Sequence, residues 1–198
     1  CDIVTADVSW DILIFTQDGK KNVSMWGPMT KTRRIPHNKG DECLGIRFKP
    51  GTFTPHLEAD KMLNQGITLP EATGKSFWLG STTWELPTYE NVDTFVTWLA
   101  RRGLLGRDPI VEAALLGQPQ AMSLRSIQRR FLRITGLTQR DIRSIERAQQ
   151  AAVLLGSGKP ILDTVYEAGY ADQQHMTHAL KQLIGQTPAQ IAGIRNIE

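Results

Sequence analysis

An internal repeat in the C-terminal half of the sequence constrains the fold of this chain more than any other feature. A shift of 49 residues superimposes two N-cap residues, three apolar positions at helical spacing and the glycine that ends each helix. The paired positions are Ser123 with Asp172, Ile127 with Met176, Phe131 with Leu180, Ile134 with Leu183, Gly136 with Gly185, and Thr138 with Thr187. A shorter predicted helix that opens with Pro-Ile precedes each copy, at Pro109 and at Pro160, and Asp108 is the expected N-cap of the first. The sequence therefore predicts two copies of one helix pair.

Positive charge is concentrated in the same half of the chain. Residues 1–106 carry 12 Lys and Arg against 12 Asp and Glu, whereas residues 107–198 carry 11 against 8. Residues 123–150 contain seven Arg and two acidic residues, which gives a local net charge of +5. An Arg cluster beside a neutral half is typical of a nucleic-acid-binding surface, and an exposed helix with surplus Arg is the alternative interpretation.

The outward faces of the two longer helices carry side chains that can read bases. A short helix, a turn and a longer helix form a helix-turn-helix unit, in which the longer helix enters the major groove. The apolar repeat positions, together with Leu124, are predicted to face the core. Arg fits the O6 and N7 atoms of guanine, and Gln fits the N6 and N7 atoms of adenine. The predicted DNA-contacting residues are Arg125, Gln128, Arg129 and Arg133 in the first helix, and Gln173, Gln174, Thr177, His178 and Lys181 in the second.

A long helix is predicted between the two units. Thr138 is its expected N-cap, and Gly156 and Gly158 follow its last predicted residue, Leu155. About 18 helical residues make a rod of roughly 27 Å. With the turns added, the two reading helices are expected about one turn of B-DNA apart, roughly 34 Å. One chain would then enter two successive major grooves on the same side of a duplex.

The N-terminal half of the sequence favours strands and turns, and it contains all five Trp. Strands are predicted at residues 10–15, 23–26 and 43–48. Asp18-Gly19 is typical of the hairpin that would join the first two strands. Two helices are expected among these strands, a short one at residues 57–63 and a longer one at residues 91–104. Core burial is expected for most of the Trp and for Cys43.

These two patterns define the predicted fold class and domain organisation. The chain is expected to be α+β, with a small β-rich domain at residues 1–106. An all-α domain is expected at residues 107–198, and it would contain both helix-turn-helix units and the long helix between them. The first residue is Cys rather than Met, so further sequence is expected upstream of it.

Several other classes of protein and site find no support in the sequence. No apolar run approaches the ~20 residues of a transmembrane helix, and no signal peptide is recognisable. Cys1 and Cys43 make no disulfide framework, and a reducing cytoplasm fits them. His175 and His178 have the i, i+3 spacing of a metal pair, but no third ligand accompanies them. No metal and no cofactor are therefore expected.

The C-terminal half resembles the DNA-binding domain of AraC-type transcription regulators. The similarity covers about residues 108–191 and rests on the motifs QRRF, GLT, A-x-x-L-L, A-G-Y-x-D-Q and G-x-T-P. In that family the outward residues of both reading helices contact bases. The resemblance implies this role for Arg125, Gln128 and Arg129 in the first helix, and for Gln173, Gln174, Thr177 and His178 in the second. In two respects the sequence departs from the pattern: the first turn, residues 117–122, is long, and His178 stands where these regulators often have Arg.

The resemblance also implies a function and partners. It predicts a sequence-specific transcription regulator that binds double-stranded DNA in the bacterial cytoplasm, at the nucleoid. RNA polymerase, a small-molecule effector and a second copy of the chain are the further partners that it suggests. More loosely, the N-terminal half resembles the effector or dimerisation domains that precede this module, which in the better-known branches are cupin-like barrels. No residue of an effector site is identified by the sequence.

Two other functions remain open at this stage. The β-rich half could be an enzyme that the helical half targets to its substrate, but no nucleophile elbow, metal cluster, phosphate loop or carboxylate pair supports this, so no enzymatic activity is expected. The chain could also be an architectural binder, which would bind random and selected DNA with equal affinity.

Overall fold

Strands are the main regular structure of the N-terminal half, and helices form most of the C-terminal half, in the computed structural model, which describes residues 2–17, 19–35 and 42–193. The strands are β1 (Asp2–Val4), β2 (Trp10–Gln17), β3 (Lys20–Trp26), β4 (Arg33–Ile35), β5 (Cys43–Phe48), β6 (Thr52–Phe53), β7 (Gly66–Thr68), β8 (Glu71–Thr73), β9 (Ser76–Leu79), β10 (Thr82–Glu85) and β11 (Gly106–Arg107). The α-helices are α1 (Val92–Arg101), α2 (Pro109–Leu115), α3 (Leu124–Thr135), α4 (Gln139–Gly156), α5 (Ile161–Glu167), α6 (Gln173–Leu183) and α7 (Pro188–Ile191). The predicted sheet-rich region followed by a helical region is confirmed.

By internal packing the chain forms two units. The sheet unit comprises Val8–Pro28 and His37–Gln139, and the helical unit comprises Cys1–Asp7, Met29–Pro36 and Arg140–Glu198. The sheet unit thus includes α2 and α3. The last strand, β11, ends at Arg107 and α2 begins at Pro109, so the change from strands to helices lies close to the predicted division between residues 106 and 107, which stays a prediction as a domain boundary.

An antiparallel sheet of four strands, in the order β5-β2-β3-β7, forms the core of the sheet unit. The predicted hairpin is present, with Gln17 opposite Lys20, and its Asp18 lies outside the described residues. Ile12 stands opposite both Met25 of β3 and Ile46 of β5. All three of these side chains are buried, because alternate residues of a strand point to the same face. This face supplies half of the buried apolar residues in the core cluster of the sheet unit.

Helix α1 and a smaller sheet, in the order β10-β9-β8, complete that core. The ring of Phe95 makes edge-to-face contacts with Trp84 and Phe77, at centroid distances of 5.6 and 6.2 Å. Leu99 of the same helix is fully buried. The helix predicted at residues 91–104 is confirmed, whereas the one predicted at residues 57–63 is reduced to a single 3₁₀ turn at Ala59–Met62.

Two predictions of burial are wrong. Trp78 and Trp98 are 44% and 47% exposed, although Trp10 and Trp84 lie in the core. Trp98 lies on the outer face of α1, where the guanidinium of Arg101 covers its ring. Cys43 is also exposed, since it shares a face of β5 with Gly45 and Arg47 rather than with the buried residues. Partial desolvation nevertheless raises the pKa of the Cys43 thiol, which keeps it protonated near neutral pH.

Helix α4 forms the centre of the helical unit. Its residues Ile142, Ile145, Ala148, Ala151 and Leu155 are buried along one face. The N-terminal segment packs in the same unit, where the Ala6 amide donates to the Leu183 carbonyl over 2.7 Å and the Gln149 side chain donates to the Ala6 carbonyl over 3.0 Å. The C-terminal end of α6 is therefore covered by residues from the start of the chain. None of the helices in the described ranges is long and apolar enough to span a membrane.

Candidate nucleic-acid interface

The first helix pair is fixed by a buried carboxylate that was predicted only as a cap. Oδ1 of Asp108 accepts hydrogen bonds from the amides of Ile110 and Val111, both at 3.1 Å, and so caps α2. Its Oδ2 accepts a 2.7 Å hydrogen bond from Nε of Arg130 on α3. The Asp108 side chain is only 3% exposed and that of Arg130 is 34% exposed, so the acidic end of this ion pair is shielded from water. One side chain thereby sets the start of α2 and ties it to α3.

Arg130 is a structural residue that the sequence analysis did not separate from the other Arg of the cluster. On a helix with 100° per residue it lies at the edge of the buried face, about 40° from the buried Ile134. This position was the one indication of a structural role that the sequence contained, because an Arg beside the buried face of a helix needs a nearby acidic partner. The local charge of the cluster is correspondingly less available to a ligand than the residue count suggests.

The boundaries of α3 follow the prediction. The Oγ atom of Ser123 accepts from the Ser126 amide, which caps the N-terminus of the helix. Ile127, Phe131 and Ile134 are buried as expected. Gly136 ends the helix with a φ of 71°. A Cβ atom at this glycine would lie 2.7 Å from the carbonyl oxygen of Ala59, so the left-handed backbone and the close approach both require glycine here.

A second attachment joins the first helix pair to the strands of the sheet unit. Strand β11 pairs with β6, with Gly106 opposite Phe53. Directly after β11, the Asp108 amide donates to the Gly51 carbonyl over 3.2 Å. Together with the contact between Gly136 and the 3₁₀ turn, this pairing holds α2 and α3 against the β-rich core at both ends.

The outward face of α3 consists of two parallel rows of side chains. The arginine row contains Arg125, Arg129 and Arg133, and the leucine row contains Leu124, Gln128 and Leu132. Each row follows the i, i+4 spacing that places residues one above another on a helix. All six residues are exposed. The predicted contact residues of α3 are thus available to a ligand, and their contacts with DNA stay a prediction.

The exposure of Leu124 contradicts the prediction that it faces the core. Its side chain is 75% exposed, although the hydrophobic period placed it with Ile127 and Phe131. Leu124 is the first residue of α3, and the apolar contacts of the helix begin only one turn later. The hydrophobic period therefore predicts burial correctly in the middle of α3 but not at its first residue.

Helix α6 repeats the local construction of α3. Oδ1 of Asp172 accepts from the His175 amide over 2.7 Å, which caps the helix, and Met176, Leu180 and Leu183 are buried. The exposed residues are Gln173, Gln174, His175, His178, Lys181 and Gln182. Thr177 is only partly exposed, and its hydroxyl donates to the Gln173 carbonyl over 2.8 Å. The contacts of these residues with DNA also stay a prediction.

The turn before α6 is held by a contact chain that the sequence analysis missed. Nη1 of Arg147, on α4, donates to the Gly169 carbonyl over 3.1 Å, and its guanidinium lies 5.1 Å from the centre of the Tyr170 ring. The Tyr170 ring meets the His175 imidazole edge-to-face at 5.2 Å. Burial raises the pKa of the Tyr170 hydroxyl, although the charge of Arg147 opposes this shift. In the described residues, no group of three His, Cys, Asp or Glu side chains is placed to hold a metal ion.

Comparisons with known proteins agree with this construction. Residues 119–193 match the family model of a helix-turn-helix domain. The regulatory protein Ada of Salmonella typhimurium (strain LT2) is 32% identical over 87 residues, which are 44% of this chain and 25% of that protein. The chain thus spans about a quarter of the length of this curated relative. No solved structure is similar enough to indicate a relationship.

The matched segment encloses α3, α4, α5, α6 and α7 with the caps Ser123 and Asp172, whereas α2 and its cap Asp108 lie outside it. It begins shortly before Ser123 and ends just after α7. Residues 119–193 of this chain are a helix-turn-helix domain of the AraC type.

Proposed function

We propose that this protein is a sequence-specific DNA-binding transcription regulator that inserts α3 and α6 into successive major grooves of a duplex. The helix-turn-helix match over residues 119–193 supports this proposal most strongly, because it encloses two capped helices with outward Arg and Gln side chains. Residues near the N-terminal end of a docked helix reach base edges, and both helices carry their Arg or Gln there.

In α3 the exposed Arg and Gln side chains would make different contacts with the duplex. Arg125 and Arg129 would donate two hydrogen bonds each to guanine, and Gln128 would pair with adenine. Arg133 lies one turn further along the helix, where a phosphate contact is expected. Helix α3 would therefore provide most of the electrostatic affinity.

In α6 base reading would depend on neutral polar groups. Gln173, Gln174, Thr177 and His178 would face the bases, and Lys181 would contact a phosphate. A Gln side chain left without its base partner loses two hydrogen bonds, so this helix would contribute selectivity more than affinity.

The proposal extends to control by other molecules. Residues 1–106 would form the effector or dimerisation domain, of cupin-like type, and a small molecule bound there would have to prefer one of two states of the protein. RNA polymerase and a second copy of the chain are further proposed partners, and the bacterial cytoplasm, at the nucleoid, is the proposed location. A thermal-shift screen of the full chain, in which no small molecule raises the melting temperature, would contradict effector control.

Selection of bound sequences from random DNA tests the main proposal. The expected result is two blocks of preferred bases whose centres are separated by about one helical turn, roughly 10 base pairs. Equal affinity for the selected and the random pool at physiological salt would instead identify an architectural binder and overturn the proposal.

A further inference from the structure

The exposed Leu124 side chain offers an apolar group at the reading end of α3. It is the first residue of the helix, it is 75% exposed, and it stands directly beside Arg125. It also begins the leucine row, one turn before Gln128. At the corresponding position α6 has Gln173, so the polar set of the second helix lacks this group.

The chemistry of the major groove limits what such a side chain can meet. Guanine, cytosine and adenine present hydrogen-bond donors and acceptors at this edge, whereas thymine also presents its C5-methyl group. An isobutyl group gains from burial only against an apolar partner, and it can form no hydrogen bond with the other bases. The first turn of a docked helix is also the part that approaches base edges most closely.

We infer that Leu124 is a specificity-determining residue that packs against the C5-methyl group of a thymine next to the base pair read by α3. This inference rests on the proposed function, because it requires α3 to lie in the major groove. Leu132, in the same row but in the last turn, would not reach the bases and serves as the matched control.

Replacement of single thymines by deoxyuridine tests this inference, since it removes the methyl group and leaves base pairing intact. Binding of the full chain to its selected site should weaken about fourfold when the contacted thymine is replaced, which corresponds to the burial of one methyl group. In Leu124→Ala the same replacement should have almost no effect. In Leu132→Ala the fourfold loss should persist.

A second variant tests the same contact in the opposite direction. Leu124→Gln introduces the residue found at the corresponding position of α6, and repeated selection should then favour adenine over thymine at that base. Both Leu124 variants should retain the melting temperature of the parent protein, because the side chain is exposed.

The outcomes separate this inference from the proposed function. If the parent protein selects no preferred sequence, the proposed function fails. If it selects a site but tolerates deoxyuridine at every thymine, or if Leu132→Ala rather than Leu124→Ala removes the deoxyuridine effect, the role of Leu124 is overturned while the proposed function stands.

Discussion

The two helix pairs, α2 with α3 and α5 with α6, share an internal framework and differ in their surfaces. Both reading helices begin at a side-chain cap and bury residues at the same three repeat positions. On the outside, the arginine row of α3 corresponds to Gln174, His178 and Gln182 of α6, and the leucine row corresponds to Gln173, Thr177 and Lys181. The same caps and buried positions therefore support two different outer surfaces, one rich in charge and one rich in amides.

The copies also differ in how their turns are held. In the first pair, an ion pair between the buried Asp108 and the partly exposed Arg130 connects α2 to α3. In the second, Arg147 of α4 supports the turn through a backbone carbonyl and an aromatic ring. A buried ion pair is costly to break, whereas a partly exposed hydrogen bond and a cation–π contact are worth less. Four predictions test how the two pairs differ, in their supports and in their exposed residues, and they follow from the largest expected effect to the smallest.

Asp108→Ala should lower the free energy of unfolding by about 3–5 kcal/mol, because it removes the α2 cap and leaves the Arg130 guanidinium without its buried partner. Denaturant unfolding measures this change. Arg107→Ala, which breaks the more exposed pair with Glu112 in the same region, is the control and should cost less than about 1 kcal/mol. Equal losses in the two variants would show that burial does not strengthen the Asp108–Arg130 pair.

Arg129→Ala and Gln174→Ala should each weaken binding to the selected site by about 1–3 kcal/mol and relax base preference. Each variant should affect one half of the site and leave the other half unchanged, so each is the control for the other. Affinity measured on a panel of single-base substitutions provides the test. An unchanged affinity and base preference in both variants would contradict the assignment of the two reading faces.

Arg147→Ala should destabilise the protein by about 1 kcal/mol through loss of the Gly169 hydrogen bond and the contact with Tyr170. It should also weaken discrimination in the half-site of α6, since the turn before that helix loses its support. Arg143→Ala, at an exposed position of the same helix, should change neither stability nor discrimination. A loss of discrimination in the α3 half-site alone would contradict the positioning role of Arg147.

Arg133→Ala and Lys181→Ala should have the smallest effect on base preference. Each should reduce the slope of log affinity against log salt by about 0.9, because each removes one phosphate contact. Affinities measured across a salt series check this expectation. An unchanged slope combined with altered base preference would show that the residue contacts a base rather than a phosphate.

The features that the sequence predicted correctly are mostly local. Asp108, Ser123 and Asp172 were recognised as caps because a cap is defined by the residues within one turn of it. The buried positions of both reading helices were also predicted, since the repeat doubled the hydrophobic signal. Local patterns thus placed most boundaries of the helical half within one or two residues.

The features that were missed depend on distant partners or on position within an element. The inward turn of Arg130 depends on a carboxylate 22 residues away. The exposure of Cys43 depends on which face of β5 meets the core, and that of Leu124 on where the contacts of α3 begin. Sequence periodicity carries none of this information, because it does not show what lies opposite each face.

The attachment of the first helix pair to the strands has a consequence for how this protein can be divided. A fragment that begins at residue 107 loses the partner of β11, the Gly51 carbonyl and the Ala59 contact of Gly136, although it contains both reading helices. A cut after Gln139 keeps α3 with all of these supports. An exchange of residues 1–106 alone would therefore remove contacts that hold α2 and α3 in place, whereas an exchange of residues 1–139 would carry both helices along with these contacts.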